Sequence, residues 1–61
     1  MTVYRYVMDR EQEHFIVFTM KDGEMFTLYD SRKTFEDIPD YIAGCIVEKL
    51  YNVGGIVEVE V

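Results

Sequence analysis

The sequence predicts a small α+β domain with the order β-β-β-α-β, in which one helix packs on one face of a sheet rich in antiparallel pairs. Three observations predict this fold. Short segments of β-branched and aromatic residues fill the first half of the chain, and Asp22-Gly23 separates two of them. Apolar residues recur at helical spacing between residues 38 and 51. At 61 residues, the chain forms a single domain over residues 1–61.

Three strands are predicted before the helix. Residues 3–8 are rich in β-branched and aromatic side chains and predict the first strand, and the polar residues 9–13 predict a loop. Residues 14–20 and 25–29 predict the second and third strands. Because Asp-Gly accepts the positive φ angles of a type I′ turn, Asp22-Gly23 predicts a two-residue hairpin between them.

A helix is predicted from Ile38 to Tyr51. Asp37 is the predicted N-cap, since this choice places Pro39 in the first turn, where its missing N–H does no harm. Thr34, three residues before Asp37, offers a competing cap. The apolar stripe expected to face the core consists of Ile38, Ile42, Cys45, Ile46 and Leu50.

The last strand is predicted after Gly54-Gly55, which is expected to end the helix. From Ile56 to Val61, valines alternate with Glu58 and Glu60. Such alternation is typical of a strand with one buried face and one solvated face.

Both faces of the predicted hairpin are apolar. A type I′ turn places Thr19 opposite Phe26 and continues that register along both strands. One face then carries Phe15, Val17, Phe26 and Leu28, and the other carries Ile16, Phe18, Met20, Met25 and Tyr29. A helix is roughly 10 Å wide, whereas four strands span about 19 Å, so one helix covers only one face.

The second face is therefore expected to pair with another copy of the chain or with a target. The alternative is a curled sheet that closes over its own residues. Gly44 in the helix would allow close approach of another backbone, and tyrosines favour interfaces. The alternative is that Tyr41 and Tyr51 lie over the sheet edge. The predicted dimer interface consists of Phe18, Met20, Met25, Tyr29, Gly44 and Tyr51.

The charge of the chain is acidic, with a net value of −6. Residues 35–61 contain six acids and one base, whereas residues 1–34 contain six acids and five bases. This distribution disfavours nucleic acid as a partner and favours a basic protein surface. The alternative is that acidic charge only maintains solubility. Since no run of 18 apolar residues and no signal-peptide pattern is present, we expect a cytoplasmic protein without a membrane partner.

Cysteine and histidine, which usually bind zinc or act in nucleophilic catalysis, occur once each. The single cysteine, Cys45, and the single histidine, His14, are far apart in sequence and cannot supply a tetrahedral zinc site. Cys45 lies on the apolar stripe, which favours a role as a small core residue over a reactive thiol. His14 has no Ser or Cys partner in a catalytic motif. We therefore expect no enzymatic activity, no cofactor and no metal.

Several features together resemble the small acidic inhibitors of uracil-DNA glycosylase made by bacteriophages. They are the hairpin closed by Asp22-Gly23, the Phe35-Glu36 pair before the helix, the short final strand, the acidic charge and the length. The resemblance runs from Ile16 to the C-terminus. It implies a homodimer that mimics DNA: carboxylates replace phosphates in the enzyme's DNA groove, and an apolar cavity at the dimer surface captures a leucine of the enzyme.

The same resemblance assigns Phe35 and Glu36 to the partner contact, and more loosely Tyr41, whose spacing departs from the family. With the acidic residues of the C-terminal half, the predicted partner-binding set is Phe35, Glu36, Asp37, Asp40, Tyr41 and Glu48. The alternative for Phe35 is packing against the first helical turn. The sequence thus predicts an inhibitor of a nucleic-acid enzyme, acting in the cytoplasm of a host cell. The alternative function is a small dimeric adaptor without DNA mimicry.

Overall fold

The computed structural model describes residues 1–10 and 13–61, so residues 11 and 12 of the predicted loop lie outside the described residues. The elements are α1 (Val3–Met8), β1 (Phe15–Lys21), β2 (Glu24–Asp30), α2 (Asp40–Ala43), β3 (Lys49–Val53) and β4 (Ile56–Glu60). The predicted α+β class is confirmed, with four strands and helical segments packed on one face. The order α-β-β-α-β-β differs from the predicted order.

The four strands form one mixed sheet in the order β2-β1-β4-β3. β1 pairs antiparallel with β2, and β3 pairs antiparallel with β4. The two hairpins join through the parallel pair β1 and β4. The connection from β2 to β3 carries α2. Within residues 1–10 and 13–61, no helix is long and apolar enough to cross a membrane.

The first hairpin has the predicted turn, because Asp22 and Gly23 both adopt positive φ angles, 53° and 78°. Phe18 lies opposite Thr27, as predicted. The register then shifts between Val17 and Phe18, so that Val17 lies opposite Tyr29. This irregularity moves Tyr29 to the face opposite the one predicted for it.

The first predicted strand is a helix instead, α1. The Thr2 side chain caps it by accepting a hydrogen bond from the backbone N–H of Arg5 at 3.3 Å. Val3 and Tyr6 are both buried in the core. Residues three apart share one side of a helix, whereas in a strand they point to opposite faces. The burial of both side chains therefore fits the helix.

The predicted helix from Ile38 to Tyr51 is wrong for most of its length, since α2 has only four residues. Pro39, not Asp37, occupies the N-cap position, and no side chain caps this end. The chain leaves the helix at Gly44, the poorest helix former in the segment apart from proline. Of the predicted stripe, Ile42 is buried, Ile38 and Cys45 are partly buried against the core, and Ile46 and Leu50 are exposed.

A second hairpin replaces the C-terminal part of that helix. Gly54 and Gly55 adopt positive φ angles of 59° and 80°, close to those of the first hairpin turn. They join β3 to β4 with Val53 opposite Ile56. Residues 49–53 thereby obtain backbone hydrogen bonds from β4 that a helix would otherwise have to supply.

The sheet has two unlike faces. The covered face, which packs under the helical segments, carries Phe15, Val17, Tyr29, Val57 and Val59. The main core side chains above it are Val3, Tyr6 and Ile42. The open face carries Ile16, Phe18, Met20, Met25, Tyr51 and Val53, together with Lys49, Glu58 and Glu60. The described lining of a groove on the open face consists of strand residues.

Candidate protein-binding site

The segment between β2 and α2 starts from a tightly bonded turn. The buried carboxylate of Asp30 accepts hydrogen bonds from the backbone N–H of Arg32 at 3.0 Å and from its guanidinium at 3.0 and 2.9 Å. These Arg32 side-chain bonds are the main reason that the pKa of Asp30 lies below its usual value. Ser31, which follows Asp30, forms two hydrogen bonds with Phe15. Its hydroxyl oxygen accepts from the backbone N–H of Phe15, and its own N–H donates to the carbonyl of Phe15. The start of the segment is therefore fixed to the sheet.

The middle of the segment is held at Glu36. The Tyr29 hydroxyl donates a hydrogen bond of 2.6 Å to the backbone carbonyl of Glu36, whose N–H donates to Thr34 Oγ1 at 3.1 Å. Burial raises the pKa of Tyr29, and the negative charges of Asp37 and Glu36 raise it further. The backbone beside Phe35 is thus tied to the sheet.

Phe35 itself contacts little of the chain. Its exposed fraction is 110% of the reference value, so the alternative in which its ring packs on the first helical turn is wrong. A fully exposed phenyl ring on an ordered backbone is unfavourable in water and favourable at an interface. This exposure makes the segment around Phe35 a candidate contact surface.

A cleft of about 450 Å³ lies beside this segment, between the two helices and one end of the covered face. We call it the acid-rimmed cleft. It is lined by Tyr4, Val7, Met8, Phe15, Tyr29, Asp37, Ile38, Asp40 and Ala43. The rings of Phe15 and Tyr29 stack at a centroid distance of 5.4 Å. Asp37 and Asp40, both exposed, are the charged residues in the described lining.

The structure brings together most of the predicted partner-binding residues. Phe35, Glu36, Asp37 and Asp40 are all exposed. Asp37 and Asp40 line the acid-rimmed cleft, Phe35 and Glu36 precede them in the chain, and the exposed Tyr41 follows in α2. Glu48 lies elsewhere: its backbone N–H donates to Glu60 near the end of β4, at the end of the sheet away from Phe15.

The residues of the predicted dimer interface do not all lie on one surface. Four of its residues, Phe18, Met20, Met25 and Tyr51, lie on the open face. Tyr29 lines the acid-rimmed cleft on the other face because of the register shift. Gly44 ends α2, and a Cβ built on it would meet the Asp40 carbonyl oxygen at an ordinary contact distance of 3.5 Å. Neither residue adjoins the other four.

The α1 lining of the cleft was not predicted. Tyr4, Val7 and Met8 were assigned to a strand, although their i, i+3, i+4 spacing is the spacing of one helix side. Cys45 is partly buried against the core, as expected, and its thiol donates to the Tyr41 carbonyl at 3.3 Å. Among the described residues, no three His, Cys, Asp or Glu side chains come together as metal ligands.

Comparisons with known proteins provide no relative for this fold or this cleft. Protein families, curated proteins and solved structures were each compared with the chain, and none matches it.

Proposed function

We propose that this chain is a protein inhibitor that binds the basic groove of a nucleic-acid enzyme through residues 35–40, and that uracil-DNA glycosylase is the first target to test. The observation that carries the proposal is the fully exposed ring of Phe35 in a segment with the exposed residues Glu36, Asp37 and Asp40. Such a segment offers a basic groove both an apolar anchor and negative charges.

Three further features support this proposal. The hydrogen bonds of Glu36 to Tyr29 and Thr34 order the segment before binding, which reduces the entropy lost on association. Asp37 and Asp40 lie within six residues of Phe35, so one groove can contact the ring and the charges together. A net charge of −6 also favours a basic partner through long-range attraction.

The open face favours a second candidate function, a small dimeric adaptor without DNA mimicry. Met20, Met25 and Tyr51 expose apolar area on a face that helices do not cover. The inhibitor and the adaptor can both be homodimers through this face. They differ in whether residues 35–40 contact the target.

A uracil-release assay tests the inhibitor function. We expect the purified chain, in excess over the glycosylase, to suppress uracil release, and we expect added salt to weaken this suppression because the contact is partly ionic. Phe35→Ala and the double variant Asp37→Asn with Asp40→Asn should inhibit less. Glu24→Gln is the control for each single amide substitution, since it removes one negative charge beside the hairpin turn, at the far end of β2.

Uracil release that stays undiminished in excess chain would remove this enzyme as the target. For the adaptor, we expect partner binding that survives the amide substitutions at Asp37 and Asp40 and depends little on salt.

A further inference from the structure

We propose that the acid-rimmed cleft binds an arginine side chain of the protein partner. This inference rests on the proposed function, because Phe35, in the segment that borders the cleft, would contact the same partner. An arginine combines an apolar stem with a planar cation, and the cleft offers a surface for each part.

The floor of the cleft suits the stem and the plane of a guanidinium. Phe15 and Tyr29 form a stacked pair, and Tyr4, Val7 and Met8 add aromatic and aliphatic walls. Arginine packs its methylene groups on apolar surface and stacks its guanidinium on aromatic rings. A volume of about 450 Å³ lies within the range of ordinary ligand sites.

The described part of the chain contains an example of this stacking. The guanidinium carbon of Arg10 lies 4.4 Å from the centroid of the Tyr6 ring at the C-terminal end of α1. Neither residue belongs to the described lining of the acid-rimmed cleft. The contact shows that an arginine and a tyrosine of this chain pair at a distance typical of a cation–π interaction.

The charges at the cleft select a cation. Asp37 and Asp40 line it, and no Lys or Arg belongs to its described lining. A leucine or phenylalanine side chain would cover these carboxylates without replacing their hydrogen bonds to water, at a cost in free energy. A guanidinium replaces those bonds with two parallel charge-assisted hydrogen bonds. Burial is the main cause of the raised pKa of Tyr29 on the floor, and the negative charge of Asp37 contributes to it.

Arginine is favoured over lysine for a geometric reason. The lysine ammonium is a compact, strongly hydrated charge without a planar surface, so it gains less from the rings of Tyr4 and Tyr29. A partner with a leucine or phenylalanine at this position, including Phe35 of a second copy, would not use the two carboxylates. The order of affinity expected for the cleft is therefore arginine, then lysine, then the apolar side chains.

An NMR titration of the isotope-labelled chain tests this order without any enzyme. The probes are the N-acetyl, N-methylamide derivatives of arginine, lysine, leucine and phenylalanine. We expect the arginine derivative to shift the signals of Tyr4, Phe15 and Tyr29 at the lowest concentration. The double variant Asp37→Asn with Asp40→Asn should weaken its binding about fivefold, as expected for two partly exposed ion pairs. Glu24→Gln should leave the affinity unchanged.

Three results would overturn the proposal: no shift at these three residues, tighter binding of the leucine or phenylalanine derivative, or unchanged arginine affinity in the folded double variant. The spectrum of each variant reports whether it is folded. The result of the NMR titration can be distinguished from the result of the uracil-release assay. Arginine binding without glycosylase inhibition keeps the cleft and removes the target, whereas inhibition without arginine binding removes only the role of the cleft.

Discussion

Val17 and Phe18 are neighbours in β1 that point to opposite faces of the sheet, and both are buried, with exposed fractions of 0% and 4%. They reach this state differently. Val17 lies in a core cluster with Val3 and Ile42 from the helical segments. Phe18 is buried on a face without helices, where the ring of Tyr51 lies 6.1 Å from its own.

The two faces of the sheet therefore differ in function: packing on the covered face stabilises the fold, and the open face retains exposed surface for contacts. The covered face depends on helices of six and four residues, which are too short to persist in isolation and are held by packing. The open face depends on the strands themselves and leaves methionine side chains exposed around Phe18. Substitutions on the covered face should therefore change folding most, and those on the open face should change association most.

The largest effect is expected at Ile42, which is 1% exposed in α2. Ile42→Ala should lower the free energy of unfolding by about 2–5 kcal/mol, because it removes three methyl or methylene groups from the core and leaves a cavity. Chemical denaturation measures this change. In a domain of this size, such a loss is a large share of the total stability.

Ile46→Ala is the matched control for Ile42→Ala. Ile46 is 58% exposed, and its replacement should change the free energy of unfolding by less than about 0.5 kcal/mol. A helix extending from Ile38 to Tyr51 would place both isoleucines on one buried stripe and make the two losses similar. Equal losses would therefore contradict the short α2 and the role of Ile42 in covering one face.

The two sheet hairpins show how much of the fold the sequence predicts. Asp22-Gly23 was assigned correctly because strands with clear β propensity flank it on both sides. Gly54-Gly55 forms the same kind of turn, yet it was assigned as a helix end. The apolar residues before it, such as Ile46 and Leu50, fit a helical stripe as well as a strand, and short apolar segments do not distinguish the two. The pairing of residues 49–53 with β4 is a tertiary contact, and it determines that they form a strand and not a helix.

The sequence predicts only the part of the candidate site whose residues are contiguous in the chain. Phe35, Glu36, Asp37 and Asp40 occupy one short segment, so any fold keeps them together. The cleft beside them was not predicted, since its walls need α1 to be a helix and its floor needs the register shift that moves Tyr29 beside Phe15. Neither the capping of a six-residue helix nor the position of a strand irregularity follows from residue periodicity alone.

An intermediate effect is expected at Asp30, the last residue of β2, which lies opposite Ile16 of β1. Asp30→Asn should lower the free energy of unfolding by roughly 1–3 kcal/mol, because the amide cannot accept all three hydrogen bonds from Arg32. Asp37→Asn provides the control, since Asp37 is exposed and should change the same free energy little.

The pH dependence sharpens this prediction. The pKa of Asp30 is lowered in the folded chain, so its ionised form stabilises the fold above the unfolded value of about 4, and this contribution is lost as the pH falls through the folded pKa. The difference in unfolding free energy between the native chain and Asp30→Asn should therefore be constant near neutral pH and shrink in acid. A difference that grows as the pH falls below about 4 would contradict the assigned role of Asp30.

The smallest effect on folding is expected on the open face, at Met25, which is 46% exposed. Met25→Ser should change the unfolding free energy of the single chain by less than about 1 kcal/mol, because much of the side chain is already in water. In a dimer formed through the open face, the same substitution removes buried area and should raise the dissociation constant about fivefold to tenfold. Sedimentation over a range of concentrations measures the amounts of single chain and dimer.

Met8→Ser is the control for this face, since Met8 is similarly exposed but lies on α1, beside the acid-rimmed cleft. It should leave the dissociation constant unchanged if two copies meet through their open faces. If Met25→Ser and Met8→Ser raised the dissociation constant equally, the contact between two copies would not be specific to the open face. Sedimentation as a single copy at every concentration would remove the homodimer and leave the open face to a different protein. The covered face would keep its role in either case, because its partners are the helices of the same chain.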